Sequence, residues 1–207
     1  MVGALLYPDY RETRTQYKQI HRKTRSITFR LDPNIIDELQ RDADQEEISL
    51  NVLVGHILRR YCDWDRYQEK LDMIPVPKTF LVHIMDYATY NIHGDGMKKI
   101  SPYREQIIEE VALRAFNVVK DSVLFIKKNY DLWTVLALLQ LYMKVSNITS
   151  DHIIEGEKRH LFIIQHDLGQ NWSLFTKDLL NHIFENLPNV RANVEASSNS
   201  VVAKIEF

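Results

Sequence analysis

Residues 25–32 read Arg-Ser-Ile-Thr-Phe-Arg-Leu-Asp, with Ile27, Phe29 and Leu31 alternating against Ser26, Thr28 and Arg30. A period of two puts the apolar set on one face of an extended strand and the polar set on the other. Directly after it, Asp32-Pro33 offers a helix N-cap with proline in the first turn, and Ile35, Ile36, Leu39 and Ala43 continue at helical spacing. Such a strand has no neighbour in sequence to pair with. Its N–H and C=O groups need a ladder from elsewhere, and the economical source is the same strand of a second copy.

The next element is as regular. Ser49 offers a second N-cap, and Leu50, Leu53, Val54, Ile57, Leu58 and Tyr61 follow the spacing of one helical face. One strand and two helices in about 40 residues bury too little apolar surface to fold alone, so dimerisation meets both the strand's need and the helices' need.

With these residues, Arg25 to about Trp64 resembles a ribbon-helix-helix DNA-binding domain of the CopG/Arc/MetJ type, over about a fifth of the chain. The resemblance implies an intermolecular antiparallel ribbon lying in the major groove of double-stranded DNA. Ser26, Thr28 and Arg30 would then face bases. Ile27, Phe29, Leu31, Leu53, Val54 and Ile57 would form the dimer core. It also implies a phosphate anchored at the start of the second helix, by Ser49, Leu50 and Asn51. Those roles suit the residues' chemistry: arginine can grip guanine O6 and N7 with two hydrogen bonds, and a helix N-terminus presents free N–H groups to an anion. One departure is the turn before Ser49, where the family usually holds glycine and this chain has Glu46 and Glu47.

Charge is distributed to match. The first thirty residues carry seven Arg or Lys against two acidic residues, a net of +5, which leaves −7 on the other 177. Arg22, Lys23 and Arg25 are expected to track backbone phosphates, as part of a basic arm at residues 1–24 and its junction with the strand.

The remainder is expected to be a separate domain. Residues 25–67 form the DNA-binding module, 68–78, with Pro75 and Pro77, a linker, and 79–207 an α+β domain. Helical patterns cover Phe80–Asn91, Pro102–Lys128 and Leu132–Val145. Phe80, Ile84 and Tyr87, with Val111, Phe116 and Val119, mark expected buried stripes, and Ile92–Ser101 is expected to be a loop. Leu161–His166 reads as a strand broken by Gly169. Trp172, Phe175, Leu179, Ile183, Phe184 and Leu187 form a helical stripe, and Val190–Ala196 and Val201–Phe207 a hairpin. The fold class is therefore mainly α with an α+β C-terminal part, a helical bundle leading into β-α-β-β. The segment His166–Phe175, HDLGQNWSLF, resembles stretches in uncharacterised archaeal proteins and implies no activity.

Composition limits the chemistry. Only 6 glycines are present and neither GxGxxG nor GxxxxGK[ST] occurs, so no glycine-rich phosphate loop exists. There is no GxSxG and no HExxH. His160 and His166 lie too far apart along one strand to share an ion, and His152 with Asp151 and His93 with Asp95 read as loop clusters. No catalytic residue, metal or cofactor is expected. The single cysteine, Cys62, excludes an intramolecular disulfide and is expected to be a small buried thiol on the second helix. Without an 18-residue apolar run or a leader pattern, a cytoplasmic location is expected and no membrane partner.

The expected function is a homodimeric, sequence-specific transcription regulator, not an enzyme, whose C-terminal domain senses a small-molecule effector or mediates assembly. The alternative is an antitoxin-type autorepressor that binds a protein partner through its C-terminal domain. Antitoxin tails are typically short and unfolded alone, whereas this region carries its own apolar stripes.

Overall fold

The computed structural model describes residues 25–92, 98–156 and 158–207. The chain is mainly helical, with a four-stranded antiparallel sheet at its C-terminal end. It divides into two compact units between His56 and Ile57, inside a helix. No helix among the described residues is long and apolar enough to cross a membrane.

In the N-terminal unit, residues 25–32 form no strand within the single chain. A strand exists only as part of a ladder, and no described segment pairs with this one. Helix α1, Pro33–Gln45, starts where the cap and proline dictate: the Asp32 carboxylate accepts the Asn34 N–H at 2.8 Å. It ends in a Schellman turn. Ile48 N–H donates to the Ala43 carbonyl at 3.0 Å and Glu47 N–H to Asp44 at 3.2 Å, which requires Glu47 at φ +56°. Helix α2, Leu50–Arg60, follows and runs into a π-helical turn, Tyr61–Asp65, and the short α3, Arg66–Gln68. Trp64 on that turn is buried in the C-terminal core, edge-on to Tyr142 at 5.8 Å.

After residues 72–77, which carry no regular structure, come α4 (Lys78–Thr89), a hairpin of β1 (Tyr90–Ile92) and β2 (Lys98–Ile100), α5 (Arg104–Lys127) and α6 (Leu132–Val145). Ile92 and β2 lie inside the stretch expected to be a loop, whereas Tyr90 and Asn91 fall at the end of the expected helix, which stops at Thr89. Three residue pairs are too few for alternation to register in sequence. Helix α6 buries Leu132, Val135, Leu136, Leu138, Leu139 and Met143 and is held at its start by a capping box between Asp131 and Thr134.

The sheet is β3 (Thr149–Glu155), β4 (Arg159–Gln165), β5 (Arg191–Ala196) and β6 (Ser200–Glu206), in the order β3-β4-β6-β5, with α7 (Gly169–Glu185) between the two hairpins. The C-terminal part is thus β-β-α-β-β rather than β-α-β-β. Strand β3 lies at an edge and mixes Asp151, His152, Ile153 and Ile154, so its alternation is blurred. Phe162, Ile164, Val201, Ala203 and Ile205 share one sheet face and pack in a single core with Leu136, Leu180, Ile183 and Phe184. Gly169 sits at φ +80°, a conformation that only glycine adopts readily, at the start of α7, with three residues between it and the end of β4.

Two expected stripes are corrected. Phe80, Ile84, Tyr87 and Val111 are exposed, whereas Phe116 is buried and Val119 half-buried. Helix α4 is apolar on most sides, so spacing alone leaves its inward face open. That face is Met85 and Thr89, where Met85 packs with Ile108, Ala112 and Phe175, and Thr89 meets the polar side chain of Asn171.

Candidate functional site

The segment expected to read bases is fully bared in the single chain. Arg25, Ser26, Thr28 and Arg30 are exposed, as their role needs, but so are Ile27 (73%), Phe29 (51%) and Leu31 (45%). Ile35 and Ile36 on α1 and Val52, Ile57 and Leu58 on α2 are exposed as well. Of the expected dimer core only Leu53 is buried, with Val54 half-buried. Arg22 and Lys23 lie outside the described residues.

At the start of α2, Ser49 acts as the cap. Its hydroxyl accepts the Val52 N–H at 3.3 Å, and its carbonyl accepts the N–H groups of Val52 and Leu53. The N–H groups of Leu50 and Asn51 belong to the first turn, where helix geometry supplies no carbonyl. Together with the positive dipole end they suit an anion. Glu46 and Glu47 are exposed beside this turn, and their charge opposes a phosphate there.

The sheet brings together two histidines that sequence spacing kept apart. His152 of β3 and His160 of β4 sit on the same face of a hairpin, diagonal in the register His152↔Phe162 and Ile154↔His160. His152 Nε2 and His160 Nδ1 are 2.7 Å apart and the rings stack with centroids at 5.0 Å. His160 is 3% exposed, edge-on to Trp133 at 5.0 Å, with Phe207 at 5.0 Å. Burial lowers the pKa of both rings, and His160 lowers that of His152 further. His152 is thus a strand residue and not part of a loop cluster. Gly156, at φ +76° between two runs of β-branched residues, was the available signal for the hairpin.

A serine and histidine also meet, without the chemistry of a nucleophile. His166 Nε2 is 3.1 Å from Ser173 Oγ, and His166 Nδ1 accepts the Leu168 N–H at 3.2 Å. The proton of the neutral ring is therefore on Nε2, which donates to the serine, while Ser173 Oγ donates to the Ser198 carbonyl at 3.0 Å. A serine held this way is not deprotonated by its histidine, and it is completely buried. It joins the start of α7 to the β5–β6 turn.

Among the described residues no three His, Cys, Asp or Glu side chains group to hold a metal. The His93 and Asp95 pair lies outside the described residues. Cys62 is exposed rather than buried, because the π-helical turn rotates Trp64 inward in its place.

No family model matches the chain, and no curated protein matches it. Solved structures of the Fe(II) unliganded H-NOX protein from K. algicida and of a point mutant of it are similar at a TM-score of 0.38, with 15% and 14% identity, over 73% of this chain and 95% of theirs. A likeness that low carries no argument about fold or function.

Proposed function

We propose that the chain is a homodimeric, sequence-specific DNA-binding regulator of the ribbon-helix-helix kind, reading the major groove with a β-ribbon made by two copies. The observation that carries this is the exposure of Ile27, Phe29 and Leu31, alternating with Ser26, Thr28 and Arg30 and leading straight into a capped amphipathic helix. Three apolar side chains in water on a segment without a ladder partner are unfavourable in a monomer. Both deficits vanish when a second copy pairs along the same segment.

The polar alternates then point outward as a set with donors for base edges, next to a helix start suited to phosphate. The basic bias of the first thirty residues favours the same surface. The C-terminal unit has its own core and sheet, which favours a sensing or assembly role over the short tail of an antitoxin.

Sedimentation equilibrium on the full chain, with Phe29→Glu beside it, tests the reading. A dimer that the substitution converts to a monomer, with loss of duplex DNA binding, is expected. A wild-type monomer at micromolar concentration that retains DNA binding contradicts it.

A further inference from the structure

The His152 and His160 rings face each other across a hairpin whose outer strand is a sheet edge, and the contact between them has a fixed proton limit. Neutral imidazole carries one N–H and one lone pair, so of the two facing nitrogens, 2.7 Å apart, one donates and the other accepts. A first added proton leaves that bond intact, because an imidazolium still donates to a neutral ring. A second makes both facing nitrogens donors and puts two positive charges in contact.

Among the described residues of the strands that carry the pair, no carboxylate shares its face of the sheet. From β4 and β6 the rings are faced by Phe162 and Ile205, from α6 by Trp133, and beyond β6 by Phe207. The charged residues of the same strands, Asp151, Glu155, Arg159, Lys204 and Glu206, occupy the alternate positions and so the opposite sheet face. The Asp131 carboxylate at the head of α6 is taken up by the Thr134 N–H at 2.8 Å.

We propose that the His152–His160 pair is a proton-operated latch on the sheet edge: it holds β3 against β4 while the pair carries at most one extra proton, and releases the β3 edge when both rings are protonated. Strand β3 is the element free to respond, since it pairs on one side only. Desolvation keeps the rings neutral at neutral pH, so release belongs to acid conditions. The pair titrates as one coupled unit and not as two separate residues.

The test uses the full chain, by NMR of the histidine rings and by amide exchange corrected for intrinsic rates, between pH 7.5 and 4.5. The expected result is two coupled titration steps, both below the ordinary histidine range, with β3 amide protection falling about tenfold more in wild type than in His152→Phe. His152→Gln keeps a hydrogen-bonding partner without a titrating ring and serves the same comparison if the phenylalanine variant does not fold. Other titrating groups, His166 among them, are common to wild type and variants, so the difference isolates the pair. Independent titration of both rings near the ordinary value, or equal acid loss of β3 protection in wild type and variant, overturns the proposal.

Discussion

Arg104 of α5 donates through Nε to Oδ1 of Asn171 on α7 at 2.7 Å, across 67 residues of sequence. The same asparagine uses its Nδ2 to reach Asp86 Oδ1 and Thr89 Oγ1 of α4, both at 2.9 Å. One buried amide therefore joins α7 to both α4 and α5. It also explains why α4 turns Met85 and Thr89 inward when its spacing permits other faces.

Asn171→Leu should be destabilising, because it removes the partner of the part-buried Arg104 and Asp86 side chains and one of the bonds to the buried Thr89 hydroxyl, which keeps its bond to the Met85 carbonyl. A loss of about 3 kcal/mol is expected, from about 1–3 kcal/mol per stranded group with partial relaxation. Thermal unfolding should move down by roughly 6–12 °C for a unit of this size. A shift within error of wild type would show that the network contributes nothing.

Tyr130 has the opposite situation. Its hydroxyl is buried with no hydrogen-bond partner among the described residues, and burial pushes its pKa up to about 12. Tyr130→Phe removes the orphaned group and keeps the ring beneath the Lys120 ammonium at 5.8 Å. Stability should be unchanged or rise by about 1 kcal/mol in chemical denaturation. A loss of similar size would mean that the hydroxyl is in fact satisfied.

Glu47 holds a left-handed conformation in the turn between α1 and α2, where a side chain with Cβ costs about 1 kcal/mol relative to glycine. Glu47→Gly should raise amide protection in α1 about fivefold. On the proposed DNA reading it should also tighten duplex binding at low salt, since a carboxylate leaves the neighbourhood of the expected phosphate. Hydrogen exchange and a salt titration of affinity measure the two effects separately.

Arg30→Ala should cost about 1–3 kcal/mol of specific DNA affinity and flatten sequence preference at one base pair per half-site. Lys23→Ala should weaken specific and random duplexes alike. If both variants lose equally on both kinds of duplex, Arg30 does not read a base.

Acid should weaken the C-terminal unit. Burial lowers the pKa of His152, His160 and His166 below the ordinary histidine value of about 6.5. A histidine with a depressed folded-state pKa is neutral in the fold while the unfolded chain binds a proton. Stability is therefore complete above about 6.5 and is lost as pH falls toward the folded-state values. Asp178, raised by burial, acts with the opposite sign, between its ordinary value and its folded one. Urea midpoints at pH 7.5, 6.5 and 5.5 should fall in that order, and a flat series would remove the histidines from the balance.

What was legible in the sequence is what short-range forces decide. The Asp32 cap with Pro33, the bounds of α6 at Leu132 and Val145, the break at Gly169 and the β5–β6 hairpin each rest on a side chain acting on its own backbone or on a regular period. The alternation of residues 26–31 was equally legible, yet a period names a face and not a partner, so the single chain leaves it bare. Only tertiary structure decided which face α4 buries, that Trp64 turns inward while Cys62 stays in water, and that β3 joins the sheet. His152 and His160 show the reason most directly. Their separation of eight residues has no meaning until the strand register sets them diagonally on one face, and register is fixed by the summed packing of the whole sheet.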